Sequence, residues 1–452
     1  MKIYKFGGTS LGSPERMHNV VEIIASDASP KVVVLSAISG TTDTLYKVAA
    51  RHQTGDTHIC FNLLDDLETF YTDYIRNLYS SAGSKEKANA FLTDWKNDIR
   101  KLIKSSYSIA AEKEVVSKGE IIATYLFHLL LEEKEINGSL LSALEFMNLD
   151  ESREPDIQHI HKGVMKEIQL DMLKGKNIHV TQGFICRNHK GKIDNLGRGG
   201  SDYTASLIGA SIGAEEIQIW TDIDGIHNND PRDVINTRPI SLLTFDEAAE
   251  LAYFGAKILH PSTILPAKQH DIHVKLKSTL NPDAEGTLIT RVKSDTPCVV
   301  KAVAAKDGII AIKIRSSRML MAYGFLRKVF EIFEKYKTPI DMITTSEVAV
   351  SLTIDNPHHL YDIVAELEYF GETEVDKEQS IICIVGNRIM EEKGVVYRIF
   401  SALQDIPVRM ISYGGSKNNI SVLVRSEDKK QALNALHDRL FIGNTQYETS
   451  KN

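Results

Sequence analysis

The sequence has few of the features that mark secreted, membrane-bound or nucleic-acid-binding proteins. Its four cysteines, Cys60, Cys186, Cys298 and Cys383, follow neither a metal-ligand spacing nor a disulfide framework, which fits a reducing compartment. No apolar run approaches the roughly 18 residues of a membrane span, and the chain reaches its first glycine pair too early for a signal peptide. The formal net charge is −7, and no basic segment indicates nucleic acid or an anionic membrane as a partner. We therefore expect a cytoplasmic protein.

The residues that are present are typical of a folded protein with several domains. Hydrophobic residues make up 42% and charged residues 25% of the 452 residues, close to the globular average. At roughly 100–200 residues per domain, this length predicts two to four domains. A mostly disordered chain, a collagen and a coiled coil are excluded.

Short apolar strands alternate with helices in the first part of the chain. Ile3–Phe6 and Lys31–Ser36 predict strands that are each followed by a turn of small residues, and Ser13-Pro14 predicts the start of a helix. Residues 43–135 are predicted to be mostly helical, and Phe245–Leu259 is predicted as a later helix. This alternation favours an α/β architecture with a largely parallel sheet.

Two segments after about residue 293 resemble each other. Gly324–Phe330, continuing to Ile340–Thr344, matches Gly394–Phe400, continuing to Val408–Ser412. Each copy predicts a unit of one strand, one helix and two further strands. An internal repeat marks a separate module, and we expect its boundary near Lys293–Thr296.

Two glycine-containing turns are the strongest candidates for binding an anion. Lys5 precedes Gly7-Gly8 at the end of a strand, where glycine amides and a lysine suit phosphoryl oxygens; an ordinary turn with a surface lysine is the alternative. Leu196–Asp202 places three glycines around Arg198 at the start of a predicted helix. Arg198 can bind a carboxylate with two parallel hydrogen bonds, and Asp202 can orient an ammonium group or lie near a metal. The alternative here is a flexible loop with an N-cap.

Three further charged residues have both a functional and a structural interpretation. Asp222 ends a strand, where ligands bind in open α/β sheets, or it forms a turn. Lys257 lies late in a predicted helix and either binds a ligand or complements the helix dipole. Glu120 precedes an apolar helical run and, as a lone carboxylate, could simply be an acid in the first turn of a helix. No GxGxxG follows a strand, so a dinucleotide-dependent dehydrogenase is poorly supported.

Taken in order, these segments resemble the aspartate kinases (aspartokinases). The matching segments run along nearly the whole chain: Lys5–Ser10, Val34–Ala37, Ser117–Glu120, Thr181–Phe184, Leu196–Asp202, Trp220–Asp222, Asp230–Arg232 and Phe254–Pro261. The repeat resembles the paired ACT domains of that family, with Ile343–Glu347 at their effector loop. The resemblance implies an amino-acid-kinase fold, an open and mostly parallel sheet between helices, over residues 1–293. It implies a regulatory region over 294–452 with two α+β, ferredoxin-like ACT domains, one at about 310–378 and the other at about 379–452 plus the segment near 298–306.

The reaction implied by the resemblance is transfer of the γ-phosphoryl group of ATP to the β-carboxylate of L-aspartate. Mg²⁺ would bridge phosphate oxygens, and no protein ligand is assigned to it. The product, 4-phospho-L-aspartate, leads to lysine, threonine and methionine. The implied catalytic residues are Lys5, Gly7, Gly8, Asp202 and Lys257. Aspartate would contact Ser36, Thr42, Glu120 (α-ammonium), Arg198 (α-carboxylate) and Ser201, and ATP would contact Lys5, Thr221, Asp222, His227, Arg232 and Lys257.

The ACT resemblance implies feedback inhibition by an amino acid and a homodimer or a dimer of dimers. Lysine is the expected effector and threonine the alternative, because Asp341 and Glu347 can pair with a cationic side chain. The implied effector residues are Met319, Phe325, Leu326, Ile340, Asp341, Thr345, Ser346 and Glu347. Solvated surface acids in a module that only dimerises are the alternative interpretation.

Two positions depart from the family pattern, and two other functions stay open. His227 stands where a nucleotide-side tyrosine is frequent, and Ile38 stands where a small residue is common. The chain stops at residue 452, so we expect no appended homoserine dehydrogenase domain.

Two alternative functions stay open: another amino-acid kinase, acting on glutamate, acetylglutamate, carbamate or UMP, and a non-catalytic amino-acid sensor. The presence of Lys5, Arg198, Asp202 and Lys257 counts against the sensor.

Overall fold

The structure is a computed structural model that describes residues 1–255, 261–291, 300–316, 319 and 323–442. The chain divides into two compact units. The first comprises Met1–Ile226, Ser241–Phe245 and Leu259–Ser294, and the second comprises His227–Ile240, Asp246–Ile258 and Asp295–Asn452. This division differs from one unbroken domain over residues 1–293, because two short segments before that boundary pack with the second unit.

An eight-stranded sheet organises the first unit. The strands of this unit are β1 (Lys2–Phe6), β2 (Lys31–Leu35), β3 (Gly138–Leu141), β4 (Ile178–Gln182), β5 (Ile185–Arg187), β6 (Ile193–Asn195), β7 (Glu216–Thr221), β8 (Leu242–Thr244), β9 (His273–Ser278) and β10 (Thr287–Thr290). The order in the sheet is β3-β4-β2-β1-β7-β9-β10-β8. β9 and β10 run antiparallel, and the other neighbours run parallel. β5 and β6 form a separate antiparallel hairpin. The parallel sheet confirms the predicted α/β architecture.

Helices connect the strands of this sheet, and all of them except α9 lie within the first unit. They are α1 (Pro14–Ala25), α2 (Thr41–Gln53), α3 (Thr57–Leu78), α4 (Ala82–Lys104), α5 (Ile109–Glu133), α6 (Ala143–Phe146), α7 (Ile157–Met172), α8 (Gly200–Ile212), α9 (Phe245–Tyr253) and α10 (Leu265–Gln269), with 3₁₀ turns at Gly8–Leu11 and Pro261–Ile264. α9 begins at the end of the first unit and continues into the second. Among the described residues, no helix combines the length and the apolar character needed to cross a bilayer.

Local sequence accounts for the central strands and for the first helix. All five residues of β2 are buried, and three of them are valines, as expected for a strand covered on both faces. Ser13 caps α1: its Oγ accepts a hydrogen bond from the Arg16 amide at 3.3 Å, and Pro14 occupies the first helical position. Phe6 and Trp220 stack across neighbouring strands with ring centroids 5.8 Å apart, in the core between the sheet and the helices.

Two helix boundaries differ from the sequence prediction. Glu120 lies in the middle of α5 and not in a first turn, because Gly119 continues the helix where it packs closely against the loop after β2. The helix predicted over Phe245–Leu259 ends at Tyr253 in the structure. Gly255 has φ +131°, and a β-carbon there would lie 2.0 Å from the Ala305 carbonyl oxygen; side chains rarely adopt such a backbone conformation.

The second unit contains a six-stranded antiparallel sheet. Its strands are β11 (Val300–Arg315), β12 (Ile343–Thr345), β13 (Ala349–Ile354), β14 (Glu372–Gly386), β15 (Met410–Ser412) and β16 (Asn419–Arg425), in the order β12-β13-β11-β14-β16-β15. Its helices are α11 (Phe325–Lys335), α12 (Leu360–Leu367), α13 (Val395–Ala402) and α14 (Lys429–His437), followed by a π-helical turn at Asp438–Ile442; a 3₁₀ turn covers Ser426–Asp428.

The internal repeat is confirmed in this unit. Gly324 and Gly394 cap α11 and α13 with the same φ of +82°, and each helix is followed by two antiparallel strands. One hydrophobic core lies against α11 and α12, and the other against α13 and α14. The long strands β11 and β14 run through both halves, and their register shifts between Lys306 and Ile309, where the halves meet.

Candidate functional site

A cavity of about 550 Å³ opens at the carboxyl-terminal ends of β1, β2 and β4 in the first unit. This is the edge at which open α/β sheets bind ligands. Eight of the predicted catalytic and aspartate-binding residues line it: Lys5, Gly8, Ser36, Thr42, Glu120, Arg198, Ser201 and Asp202. These residues come from four separate parts of the sequence, so the fold brings together what the motifs suggested one at a time.

Lys5 and Asp202 form an ion pair in this cavity. The Lys5 Nζ atom lies 2.7 Å from the Asp202 Oδ1 atom, and both side chains are largely buried. Lys5 is on β1, and Asp202 is in the first turn of α8. The carboxylate therefore holds the ammonium group at the sheet edge, with that group directed into the cavity.

Two helices begin at the cavity without a side-chain cap. Gly40 precedes α2 with φ +84°, and Gly199 precedes α8 with φ +70°; neither N-cap makes a side-chain hydrogen bond. The first amide groups of a helix lack acceptors within the helix and carry a partial positive charge. Together with Lys5, they make this part of the cavity suitable for a phosphate or carboxylate group.

The glycine turn after β1 needs a residue without a side chain. A β-carbon on Gly8 would lie 2.6 Å from the Ala37 carbonyl oxygen in the turn after β2. Gly8 also begins the 3₁₀ turn Gly8–Leu11. The Gly7 amide donates to the Trp220 carbonyl oxygen at 3.4 Å as part of the sheet, and a direct role for Gly7 in catalysis stays a prediction.

Glu120 is buried in the cavity wall with one oxygen atom unused. Its side chain extends from α5, and the residue is 3% exposed. Oε1 accepts a hydrogen bond from the Ala37 amide at 3.4 Å, whereas Oε2 has no hydrogen-bond partner among the described residues. Burial raises the pKa of Glu120 to about 8. Such a carboxyl group is well prepared for a cationic ligand that restores its charge.

The rest of the cavity wall includes residues that the motifs did not indicate. Arg198 is exposed at the rim and forms no ion pair with the part of the chain that the structure describes. Tyr46 and Asp43 on α2 and Phe184 after β4 also line the cavity. Tyr46 lies one helical turn after Thr42, so helical spacing could have identified it.

Comparison with known proteins matches residues 1–278 to the amino acid kinase family and residues 382–440 to the ACT domain. Lysine-sensitive aspartokinase 3 of Escherichia coli (strain K12) is 34% identical over 450 residues, which cover 97% of this chain and 99% of the relative. The chloroplastic aspartokinase 3 of Arabidopsis thaliana is 35% identical, over 97% of this chain and 81% of the relative. The chain belongs to the aspartokinase family. It is therefore a kinase, and aspartate is the acceptor that gives the family its name.

Solved structures agree with this membership. E. coli aspartokinase III in complex with aspartate and ADP, in its R-state, superimposes with a TM-score of 0.84 at 33% identity, covering 98% of this chain and 100% of that one. The same enzyme in complex with lysine and aspartate, in its T-state, gives a TM-score of 0.82. The predicted combination of an amino-acid-kinase fold with a C-terminal ACT region is thus confirmed for this aspartokinase.

The residues predicted to contact ATP are distributed over both units of the aspartokinase. Thr221 and Asp222 lie at the end of β7, next to β1, and the Thr221 hydroxyl donates to Asp222 Oδ1 at 3.1 Å. His227 and Arg232 belong to the second unit, where His227 Nδ1 is 2.8 Å from the Thr237 hydroxyl and Arg232 pairs with Asp230. Lys257 lies outside the described residues. The contacts of these five residues with a nucleotide stay predictions.

The predicted effector residues of the aspartokinase lie in the second unit. The Asp341 side chain is 2% exposed, and its Oδ1 atom accepts hydrogen bonds from Lys306 Nζ at 2.8 Å and Tyr253 OH at 2.9 Å. Phe325 is buried in the core beside α11, and Leu326 is partly exposed. Met319 and Ile340 pack against the same core. Three further residues, Thr345, Ser346 and Glu347, are exposed at the turn between β12 and β13.

Proposed function

We propose that this aspartokinase converts ATP and L-aspartate into ADP and 4-phospho-L-aspartate in the cavity at the ends of β1, β2 and β4. One observation carries this assignment: a single cavity joins the Lys5–Asp202 pair to a buried Glu120 with an unused oxygen atom. The first group suits a phosphoryl group in transfer, and the second suits an ammonium group, so the cavity has both properties that a kinase for an amino acid requires.

The acceptor amino acid would be held by charge at both ends. Its α-ammonium group would donate to Glu120 Oε2, which has no other donor among the described residues. Arg198 would bind the α-carboxylate with its planar guanidinium group. The side-chain carboxylate would then point towards Lys5, Ser201 and the first amides of α8, where its oxygen atom can attack the phosphorus atom.

Phosphoryl transfer depends mainly on positioning and on charge stabilisation. Lys5 would neutralise negative charge on the transferring group, and Asp202 keeps the Lys5 ammonium group in place. The uncapped N-termini of α2 and α8 would add amide donors to the same oxygen atoms. None of these groups has to form a covalent bond.

A magnesium ion would reach the cavity bound to the phosphates of the nucleotide, and not through the ammonium and amide groups described above. Among the described residues, no group of three or more His, Cys, Asp or Glu side chains could enclose a metal ion. Mg²⁺ is usually bound through phosphates and one or two carboxylates, and it would neutralise phosphate charge during the transfer.

The regulatory part of the proposal is inhibition by lysine at the second unit. Its support is the buried carboxylate of Asp341, together with the lysine complex of the E. coli relative. Threonine is the alternative effector. We also propose that the protein is cytoplasmic.

The contact between subunits is proposed to lie on the sheet of the second unit. Ile343 on β12 and Ile411 on β15 expose apolar side chains at the two edges of that sheet.

A coupled assay tests both parts. The purified protein would be incubated with Mg²⁺, ATP and hydroxylamine, with and without lysine, and aspartyl hydroxamate would be measured. Hydroxamate that requires aspartate and is suppressed by lysine is the expected result, with glutamate and acetylglutamate as control acceptors. Hydroxamate from a control acceptor alone would assign another amino acid, and ATP binding without any hydroxamate would support a sensor.

A further inference from the structure

The carboxylate predicted to bind the effector already has a cationic partner from its own chain. Lys306 Nζ lies 2.8 Å from Asp341 Oδ1 and 2.8 Å from Asp355 Oδ2, so it bridges the two acids. The Lys306 ammonium group also lies 4.8 Å from the centre of the Tyr253 ring, and the Tyr253 hydroxyl donates to Asp341. All four residues belong to the second unit.

The two acids differ in burial, and this difference decides whether Lys306 can move from Asp341 to Asp355. The Asp341 side chain is 2% exposed, whereas the Asp355 side chain is 37% exposed. A buried charged carboxylate without a cation is strongly disfavoured, so the ammonium group beside it stabilises Asp341. Asp355 can be solvated by water. Lys306 can therefore leave Asp341 for Asp355 only if another cation takes its place.

The charge balance of this cluster leaves room for one more cation. Two carboxylates face one ammonium group, and Asp341 Oδ2 is buried with no hydrogen-bond donor among the described residues. Burial disfavours the charged form of Lys306, but its hydrogen bonds to Asp341 and Asp355 outweigh this effect and raise its pKa. Lys306 is thus a cation. Two ammonium groups on one small carboxylate would repel each other, so exchange is favoured over addition.

We propose that Lys306 is an internal competitor of the effector: its ammonium group occupies Asp341 when the site is free, and the ammonium group of a diamino acid displaces it towards Asp355. The proposal rests on the effector assignment made above. It adds a residue that sets the sensitivity of inhibition, because the effector must replace an existing ion pair before it can form its own.

Tyr253 gives this exchange a route to the rest of the protein. It is the last residue of α9, and its hydroxyl group shares Asp341 Oδ1 with Lys306. The first residue of α9 follows directly after β8, an edge strand of the parallel sheet. Displacement of Lys306 changes the surroundings of the Tyr253 hydroxyl, and hence of one end of a helix whose other end is joined covalently to that sheet.

Two substitutions with opposite expected effects test the proposal. Lys306→Met removes the competitor and should lower the lysine concentration for half-maximal inhibition by about tenfold, because more sites are ready to bind. Asp355→Asn removes the carboxylate to which Lys306 retreats and should raise that concentration by about threefold. Asp355 is partly exposed, so this variant is expected to fold even if Lys306→Met does not. Lys335→Met, which removes another lysine paired with a carboxylate in the same unit, is the control and should change neither value.

The measurement is made on the full chain, by inhibition of hydroxamate formation and by calorimetric titration with lysine. Weaker lysine binding to Lys306→Met would show that Lys306 helps to hold the effector, and this would overturn the proposal. Tighter binding to Asp355→Asn would also overturn it. If the wild-type protein forms no aspartyl hydroxamate but the calorimetric shifts appear, the proposed reaction fails and the exchange stands. If the wild-type protein binds neither lysine nor threonine, the exchange is wrong whatever the kinase assay shows.

Discussion

The two units each bury a carboxyl group that is expected to receive an ammonium group, and they keep it in different states. Glu120 in the first unit has no cationic partner among the described residues, and burial raises its pKa to about 8. Asp341 in the second unit also has a buried side chain, but it is paired with Lys306. The free catalytic site thus neutralises its acid with a proton, whereas the free regulatory site does so with a lysine.

This difference determines what each site has to give up when its ligand binds. A proton leaves Glu120 easily, and its loss depends on pH. A tethered lysine leaves Asp341 without any change in protonation, so binding there depends on competition within the chain. The catalytic site should therefore respond to pH and the regulatory site to the identity of residue 306.

Lys5→Met should have the largest effect on the catalytic unit. Loss of the ammonium group that stabilises the transferred phosphoryl group should reduce kcat by about a hundredfold to a thousandfold, measured as aspartyl hydroxamate formation. Lys2→Met is the matched control, since Lys2 lies on the same strand and pairs with Asp27 outside the cavity. Unchanged kcat in Lys5→Met would remove this residue from the catalytic role.

Glu120→Gln should have the second-largest effect, because it removes the carboxylate that is expected to bind the ammonium group of aspartate. The amide keeps the shape but cannot form an ion pair, so KM for aspartate should rise by roughly tenfold to a hundredfold, with little change in KM for ATP. Glu112→Gln, near the start of the same helix, is the control. An equal rise in both KM values would indicate general damage to the cavity and not a lost ammonium contact.

The pH dependence of aspartate binding tests directly whether Glu120 carries a proton in the free site. Because the charged form of Glu120 binds the ammonium group and its pKa is about 8, affinity should increase by about tenfold per pH unit from pH 6 towards pH 8, with proton release at pH 7 detected by calorimetry in two buffers. In Glu120→Gln this slope should vanish.

The raised pKa of Glu120 also makes the stability of the fold depend on pH. Because the folded state holds the proton more tightly than the unfolded state, the free energy of unfolding should fall as pH rises from about 4.5 to 8. Glu120→Gln lacks this proton, so its melting temperature should rise relative to wild type over that range.

Tyr253→Phe should give the smallest change, and it tests whether the hydrogen bond from Tyr253 to Asp341 affects inhibition by lysine. The ring remains under Lys306, while one hydrogen bond to Asp341 is lost. The lysine concentration for half-maximal inhibition should fall by about twofold to threefold, with unchanged kcat. Tyr336→Phe removes a comparable hydrogen bond to Glu366 and serves as the control. A change in kcat without a change in inhibition would argue against the exchange at Asp341.

The sequence predicted the architecture, and it indicated most of the charged residues that line the candidate cavity, because those signals are local. Lys5, Arg198 and Asp202 each stand beside glycines that mark a turn, and the structure places all three around one cavity. The alternative interpretation of Glu120 as an acid in a first helical turn is wrong, since Gly119 resembles a boundary but continues α5 where a β-carbon would lie 3.0 Å from that of Ala37. Such a close approach depends on the tertiary fold.

The partners of Lys306 could not be predicted from the sequence. Lys306 stands in a strand pattern without any motif, and Asp341, Asp355 and Tyr253 are distant along the chain. The pairing of β11 with β13 brings Asp355, which follows β13, towards Lys306, and the pairing of β12 with β13 places Asp341 beside Thr353. Tyr253 reaches the cluster from α9. The grouping of residues 227–240 and 246–258 with the second unit could not be predicted either, because nothing in their composition separates them from the flanking segments.

The continuous strands β11 and β14 also have a consequence for synthesis on the ribosome. The first half of β11 pairs with the second half of β14, and β14 in turn pairs with β16. Residues 300–306 therefore emerge early but have no strand to join until residues 381–386 have been translated. Residues 309–379 can pair among themselves before the second half is translated. A nascent chain that stops between the halves would therefore leave residues 300–306 as an unpaired strand edge that chaperones and proteases can reach.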